Sequence, residues 1–101
     1  MNNNFKLIVI IVNKGRAHDV IEASKEAGAE GSTVIDGRGA SVRDKVKIFG
    51  IPIEPEKEIV LILVETEKID QVLEKITKHT SINEPGKGIA FTIEVEKVIG
   101  I

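Results

Sequence analysis

The apolar positions fall into blocks whose spacing changes along the chain. Phe5 to Val12 is apolar on both parities, with Phe5, Leu7, Val9 and Ile11 on one side and Ile8, Ile10 and Val12 on the other. That pattern predicts a strand buried on both faces. Asn13-Lys14-Gly15 turns the chain, and Arg16 to Ala27 reads as a helix. Its inner stripe is Ala17, Val20, Ile21 and Ser24, and Gly28 suits the position just past its end. Ser32 to Asp36 predicts a short second strand, closed by the breaker Gly37-Arg38-Gly39-Ala40-Ser41.

From Ala40 to about Glu56 the pattern is irregular. Val46-Lys47-Ile48-Phe49 suits a short strand or arm, and Gly50, Pro52 and Pro55 interrupt it. A loop of this length is either a ligand or partner loop or a surface excursion. Glu58 to Val64 predicts a third main strand, again apolar on both faces. Thr66 is placed to cap a helix over Glu67 to His79, with Ile69, Val72, Leu73 and Ile76 on its inner side. Ile89, Phe91, Ile93 and Val95 then alternate with Ala90, Thr92 and Glu94 in a last strand.

Strand, helix, strand, strand, helix, strand in a chain of 101 residues predicts one α+β domain over 1–101. The arrangement is ferredoxin-like βαββαβ: a four-stranded antiparallel sheet with two helices on one face. An open antiparallel sheet should be polar on its solvent side. Here the first and third strands are apolar on both faces, so another copy of the chain is expected to cover the second face.

Composition narrows the functional classes. The net charge is −2, with both signs interleaved, and there is no Trp or Tyr and only three Phe. That leaves neither a basic face nor a stacking platform for nucleic acid. Without cysteine there is no thiolate chemistry and no disulfide framework, which fits a reducing cytoplasm. The start of the chain lacks a positive stretch and cleavage site, and the apolar run after it is too short to span a bilayer. No Ser, Thr or Cys stands in a nucleophile motif, Glu54, Glu56 and Glu58 read as solvated charge, and an enzyme is not expected. His18 and His79 lack partners at ligand spacing, so no metal site is expected.

One stretch carries candidate chemistry. In Glu84-Pro85-Gly86-Lys87-Gly88-Ile89-Ala90-Phe91 a proline and two glycines surround a lysine just before a strand. Such residues make either a plain tight turn or a small anion-binding cradle of backbone N–H groups. Arg38, set between Gly37 and Gly39, offers a second cation suited to planar anions.

In three stretches the chain resembles the PII signalling proteins. Ala27-Gly28-Ala29-Glu30-Gly31-Ser32-Thr33-Val34 is similar to that family's passage from first helix to second strand. The long segment after Gly39 corresponds to its flexible T-loop, shortened here to about 40–56. Gly86-Lys87-Gly88-Ile89-Ala90-Phe91, with Val95, Val98 and Ile99 after it, resembles its Gly-Asp-Gly-Lys-Ile-Phe loop and following strand. The resemblance implies a homotrimer, with nucleotide held in clefts between subunits and a T-loop that meets a protein target, an enzyme or a membrane transporter. It implies a cytoplasmic regulator, as in nitrogen regulation, with no covalent cofactor and an adenine nucleotide (ADP, AMP or ATP) as the expected ligand. Thr33, Gly39, Gly86 and Gly88 match family positions, and Gly37, Arg38 and Lys87 complete the expected ligand-binding set.

The chain also departs from that pattern. Lys87 stands where the family has Asp, and Ile89 where it has Lys. The two arginines near the end of the family's last strand fall at Gly100 and beyond Ile101. No tyrosine is present for the modification known in part of the family. The expectation is therefore a PII-like regulator with an altered nucleotide or other small anionic ligand. The alternative is a CutA-like metal-tolerance protein or a structural trimer with a vestigial site.

Overall fold

A computed structural model describes residues 4–40, 47–48, 51–52 and 54–101. Its main sheet has the order β2-β5-β1-β6, with β1 at Phe5–Asn13, β2 at Thr33–Arg38, β5 at Glu56–Glu65 and β6 at Ile89–Glu94. Every neighbouring pair is antiparallel. Two further strands, β3 (Lys47–Ile48) and β4 (Ile51–Pro52), pair antiparallel with each other as a separate ribbon within the long loop. The remainder of the expected T-loop, 41–46, 49–50 and 53, lies outside the described residues, as do the side chains of that ribbon.

Helices α1 (Ala17–Glu26) and α2 (Ile69–Thr80) close one face of the sheet. The core forms where the even-numbered residues of the central strands meet them: Ile8, Ile10 and Val12 from β1, and Val60, Ile62 and Val64 from β5. Val20 and Ala23 of α1 and Val72 and Ile76 of α2 complete it, all almost solvent-free. The helical stripes follow the i, i+3, i+4 pattern, with Ile21 and Leu73 packed at its margin. Gly28 adopts φ +102 just past α1, and its N–H donates to Lys25 O at 3.0 Å, as its place in the sequence predicts.

The opposite face is also apolar. The register sets Val9 beside Leu61 and Phe91, Leu7 beside Leu63 and Ile93, and Ile11 beside Ile59 and Ile89. Ile35 of β2 extends that surface beside Ile59. Ile35, Phe91 and Ile93 are 42–46% exposed, because no helix among the described residues covers this side.

Three local expectations need correction. Gly37 and Arg38 are not a chain-breaking turn: β2 runs through them, because β5 begins early enough to pair Gly37 with Lys57 and Arg38 with Glu56. Thr66 makes no side-chain cap; it opens a single 3₁₀ turn, Thr66–Lys68, and α2 starts at Ile69. Glu58 is not merely solvated, since its Oε1 accepts the N–H groups of Gly15 at 2.8 Å and Ala17 at 3.0 Å.

Candidate functional site

Four strand ends converge at one edge of the sheet. The antiparallel register brings the ends of β1 and β2 beside the beginnings of β5 and β6. The segment between α2 and β6 folds over this edge. Ser81 leaves the helix in the left-handed conformation at φ 53, and Glu84 N–H donates back to Ser81 O at 2.9 Å. Ile82 is buried and pins the segment to the core.

The Gly-rich turn then sits directly on β1. Gly86 has φ +83 and Gly88 φ +145, both in the region that favours glycine. A Cβ at Gly88 would lie 2.7 Å from the Ile11 carbonyl oxygen and 3.1 Å from a methyl of Val12. Glycine at 88 is therefore what lets the turn close onto the sheet. Lys87 N–H donates to Glu84 O at 3.2 Å, so that amide is used within the turn.

Between this turn and the end of β2 lies a groove of about 600 Å³. Its walls are mostly apolar, from Ile11, Ile59, Ile82, Pro85 and Ile89, with Arg38 and Lys57 as its cations and Glu84 as its carboxylate. Gly39, Gly86 and Gly88 also line it. A smaller polar cleft of about 380 Å³ adjoins it, lined by Lys14, Asp36, Gly37 and Glu56 together with the same Arg38 and Lys57.

The cations differ in their commitments. Lys14 Nζ pairs with Glu56 at 3.1 Å, and the hydrogen bond to that carboxylate raises the ammonium above its ordinary value. Lys57 Nζ donates to Asn13 Oδ1 at 2.6 Å. Arg38 is exposed and makes no ion pair among the described residues. Gly39 N–H donates to Pro55 O at 3.2 Å, which joins the two roots of the long loop at the mouth of the groove.

Of the residues expected from the sequence, Arg38, Gly39, Gly86 and Gly88 meet in the groove, and Gly37 lines the adjoining cleft. Lys87 is exposed and lines neither. Thr33 lies at the opposite end of β2, paired with Leu61, about 17 Å along the strand from Arg38. Lys57, Ile82 and Glu84 were not singled out by sequence reasoning. For Ile82 the only signal was an apolar residue directly after a helix. No group of three or more His, Cys, Asp or Glu residues suited to a metal occurs among the described residues. No helix of the described residues is long and apolar enough to cross a membrane.

Comparison with known proteins agrees with this architecture. The model of the family described as "Nitrogen regulatory protein P-II" matches residues 5–101. Among solved structures, Arabidopsis thaliana PII bound to citrate is similar to this chain at a TM-score of 0.76 and 27% identity. The match covers 99% of this chain and 85% of the plant chain.

Proposed function

The chain belongs to the nitrogen regulatory protein P-II family, and from that premise we propose that it is a PII-like regulator that binds a nucleotide or another small anion in the groove beside Arg38 and the Gly86–Gly88 turn. The observation that carries this reading is that two sequence-distant segments, Arg38-Gly39 and Gly86 to Gly88, line one cavity that also holds the cation Lys57. A site built where loops meet strand ends suits small-ligand recognition. The plant relative's structure contains citrate, a small polyanion, which supports an anionic ligand on this scaffold.

Three copies of the chain pack their uncovered apolar faces together in this reading. Trimer formation removes Phe91, Ile93 and Ile35 from water, each now nearly half exposed. It also brings a neighbour's Thr33 towards the groove, from which the chain's own Thr33 is remote. The groove and the cleft beside it then lie between subunits, with Arg38, Gly39, Gly86 and Gly88 in the groove and Gly37 in the adjoining cleft from one copy. Lys87 takes part through its place in the turn, with its ammonium outside.

Ligand binding acts on the loop over 40–56 because Gly39, one of its roots, lines the groove and is hydrogen-bonded to Pro55, the other. A ligand that favours one loop arrangement shifts the population towards it, and the loop then meets or releases a protein target such as an enzyme or transporter. The protein acts as a cytoplasmic switch and not as a catalyst.

Thermal-shift titration with ATP, ADP, AMP, cyclic dinucleotides, bicarbonate and 2-oxoglutarate tests the reading. A saturable rise in Tm that Arg38→Ala abolishes is the expected result, since a ligand of the folded state stabilises it by mass action. No shift with any of them would leave a structural trimer whose site has decayed.

A further inference from the structure

The first residues of β5, Glu56, Lys57 and Glu58, hold two parts of the molecule at once. On one side they pair with the end of β2: Glu56 with Arg38, Lys57 with Gly37 and Glu58 with Asp36. Just beyond, Gly39 N–H donates to Pro55 O at 3.2 Å, where the two roots of the long loop meet. On the other side the same residues grip the β1–α1 turn. Lys14 N–H donates to Glu56 O at 3.2 Å, and the Lys14 ammonium pairs with Glu56 Oε2 at 3.1 Å. Lys57 Nζ donates to Asn13 Oδ1 at 2.6 Å. Glu58 Oε1 accepts the N–H groups of Gly15 at 2.8 Å and Ala17 at 3.0 Å.

Glu58 differs from its neighbours in what it resists. Asp36 stands opposite it across the β2–β5 pair. Like charges directly opposite weaken a strand pair. Lys14 lies near enough to both carboxylates to offset part of that repulsion. The turn amides engage the Glu58 charge in charge-assisted hydrogen bonds on the β1 side, away from β2. Closure of the turn therefore favours pairing at the loop roots, and pairing at the roots holds Glu58 where the turn can close on it.

We propose that Glu58 couples the roots of the loop over 40–56 to the β1–α1 turn, so that unpairing the roots releases the Gly15 and Ala17 amides and the first turn of α1. The coupling is reciprocal: whatever holds Gly15 to Ala17 in place also holds the roots together. It needs no ligand in the groove, so it stands or falls separately from the ligand-binding reading. Glu58 is a positioning residue in this device.

Amide hydrogen exchange of the intact protein, read by NMR, tests the coupling. Gly39→Pro removes the N–H that joins the roots, and Arg38 before it is already extended, as proline requires. This change should speed exchange at Gly15 and Ala17 about threefold or more beyond any change at Val72, whose amide in α2 reports opening of the whole domain. In a Glu58→Ala background the two amides should exchange fast from the start, and Gly39→Pro should add nothing. A merely structural Glu58 would not produce that non-additivity. Glu58→Gln keeps an oxygen acceptor and should restore part of the response. Pro55→Gly, which loosens the other root, provides the same comparison where Gly39→Pro does not fold. Gly15 and Ala17 unmoved relative to Val72, or sped equally with and without the Glu58 carboxylate, would overturn the proposal.

Discussion

The carboxylate of Glu58 on β5 accepts the backbone N–H of Ala17 at the start of α1, at 3.0 Å, although the two are 41 residues apart. The same oxygen accepts the Gly15 N–H at 2.8 Å. Helix α1 has no side-chain cap of its own, since Arg16 occupies that position without one. A strand residue therefore satisfies one of the first-turn donors the helix leaves unpaired, together with the Gly15 amide just before it. This locks the β1–α1 turn, and with it the Asn13 corner of the groove, to the beginning of β5.

Replacing Glu58 by Ala should cost about 1–2 kcal/mol of stability, the usual cost of losing a cap whose acceptor is charged. Urea unfolding at fixed protein concentration measures it. Glu58→Gln should recover part of the loss, because one oxygen acceptor remains. Equal stability of Glu58→Ala and wild type would show that water replaces the contact without cost.

Gly88→Ala should be among the most damaging small changes in the chain. Its Cβ would meet the Ile11 carbonyl oxygen at 2.7 Å at a residue with φ +145. A destabilisation above about 2 kcal/mol is expected from strain and clash combined. Gly39→Ala is the control, since no atom of the described residues lies within 4 Å of its added methyl. Equal tolerance of both substitutions, read by Tm, would contradict the seating of the turn on β1.

Much of this was legible in the sequence, and the exceptions share a cause. The order of elements, the helix stripes and the apolar second face follow from residue periodicity, which is local information. Gly37 and Arg38 looked like a turn because glycine breaks strands, yet the early start of β5 gives them partners at Lys57 and Glu56. Glu58 looked solvated because its partners, Gly15 and Ala17, are far away in sequence. Arg38 and Gly86 were each visible as candidates, but their meeting in one groove depends on strand register, which no local pattern encodes.

The uncovered face predicts the assembly. Light scattering should give three times the 11.0 kDa chain mass for wild type. Leu61→Asp, at the centre of that face beside Val9 and opposite Thr33, should yield monomer or unfolded chain. A monomeric wild type with normal Tm would refute the proposed packing.

Lys14 supplies a pH prediction whose sign is fixed. The hydrogen bond that Lys14 donates to Glu56 raises the folded-state pKa above 10.5, so the pair's contribution is complete below that value and is lost as pH rises through the raised one. Lys14→Met should remove this alkaline component of the stability profile and leave neutral pH almost unchanged, because the pair is exposed. Identical alkaline profiles for the two proteins would contradict it.

The most direct test of the ligand groove is an amide-resolved NMR titration of labelled protein with AMP. The account predicts saturable shifts at the Gly39, Gly86 and Gly88 amides, with Gly28 at the far end of α1 unmoved. Saturable shifts that leave all three groove glycines in place, at whatever other position they appear, would contradict it.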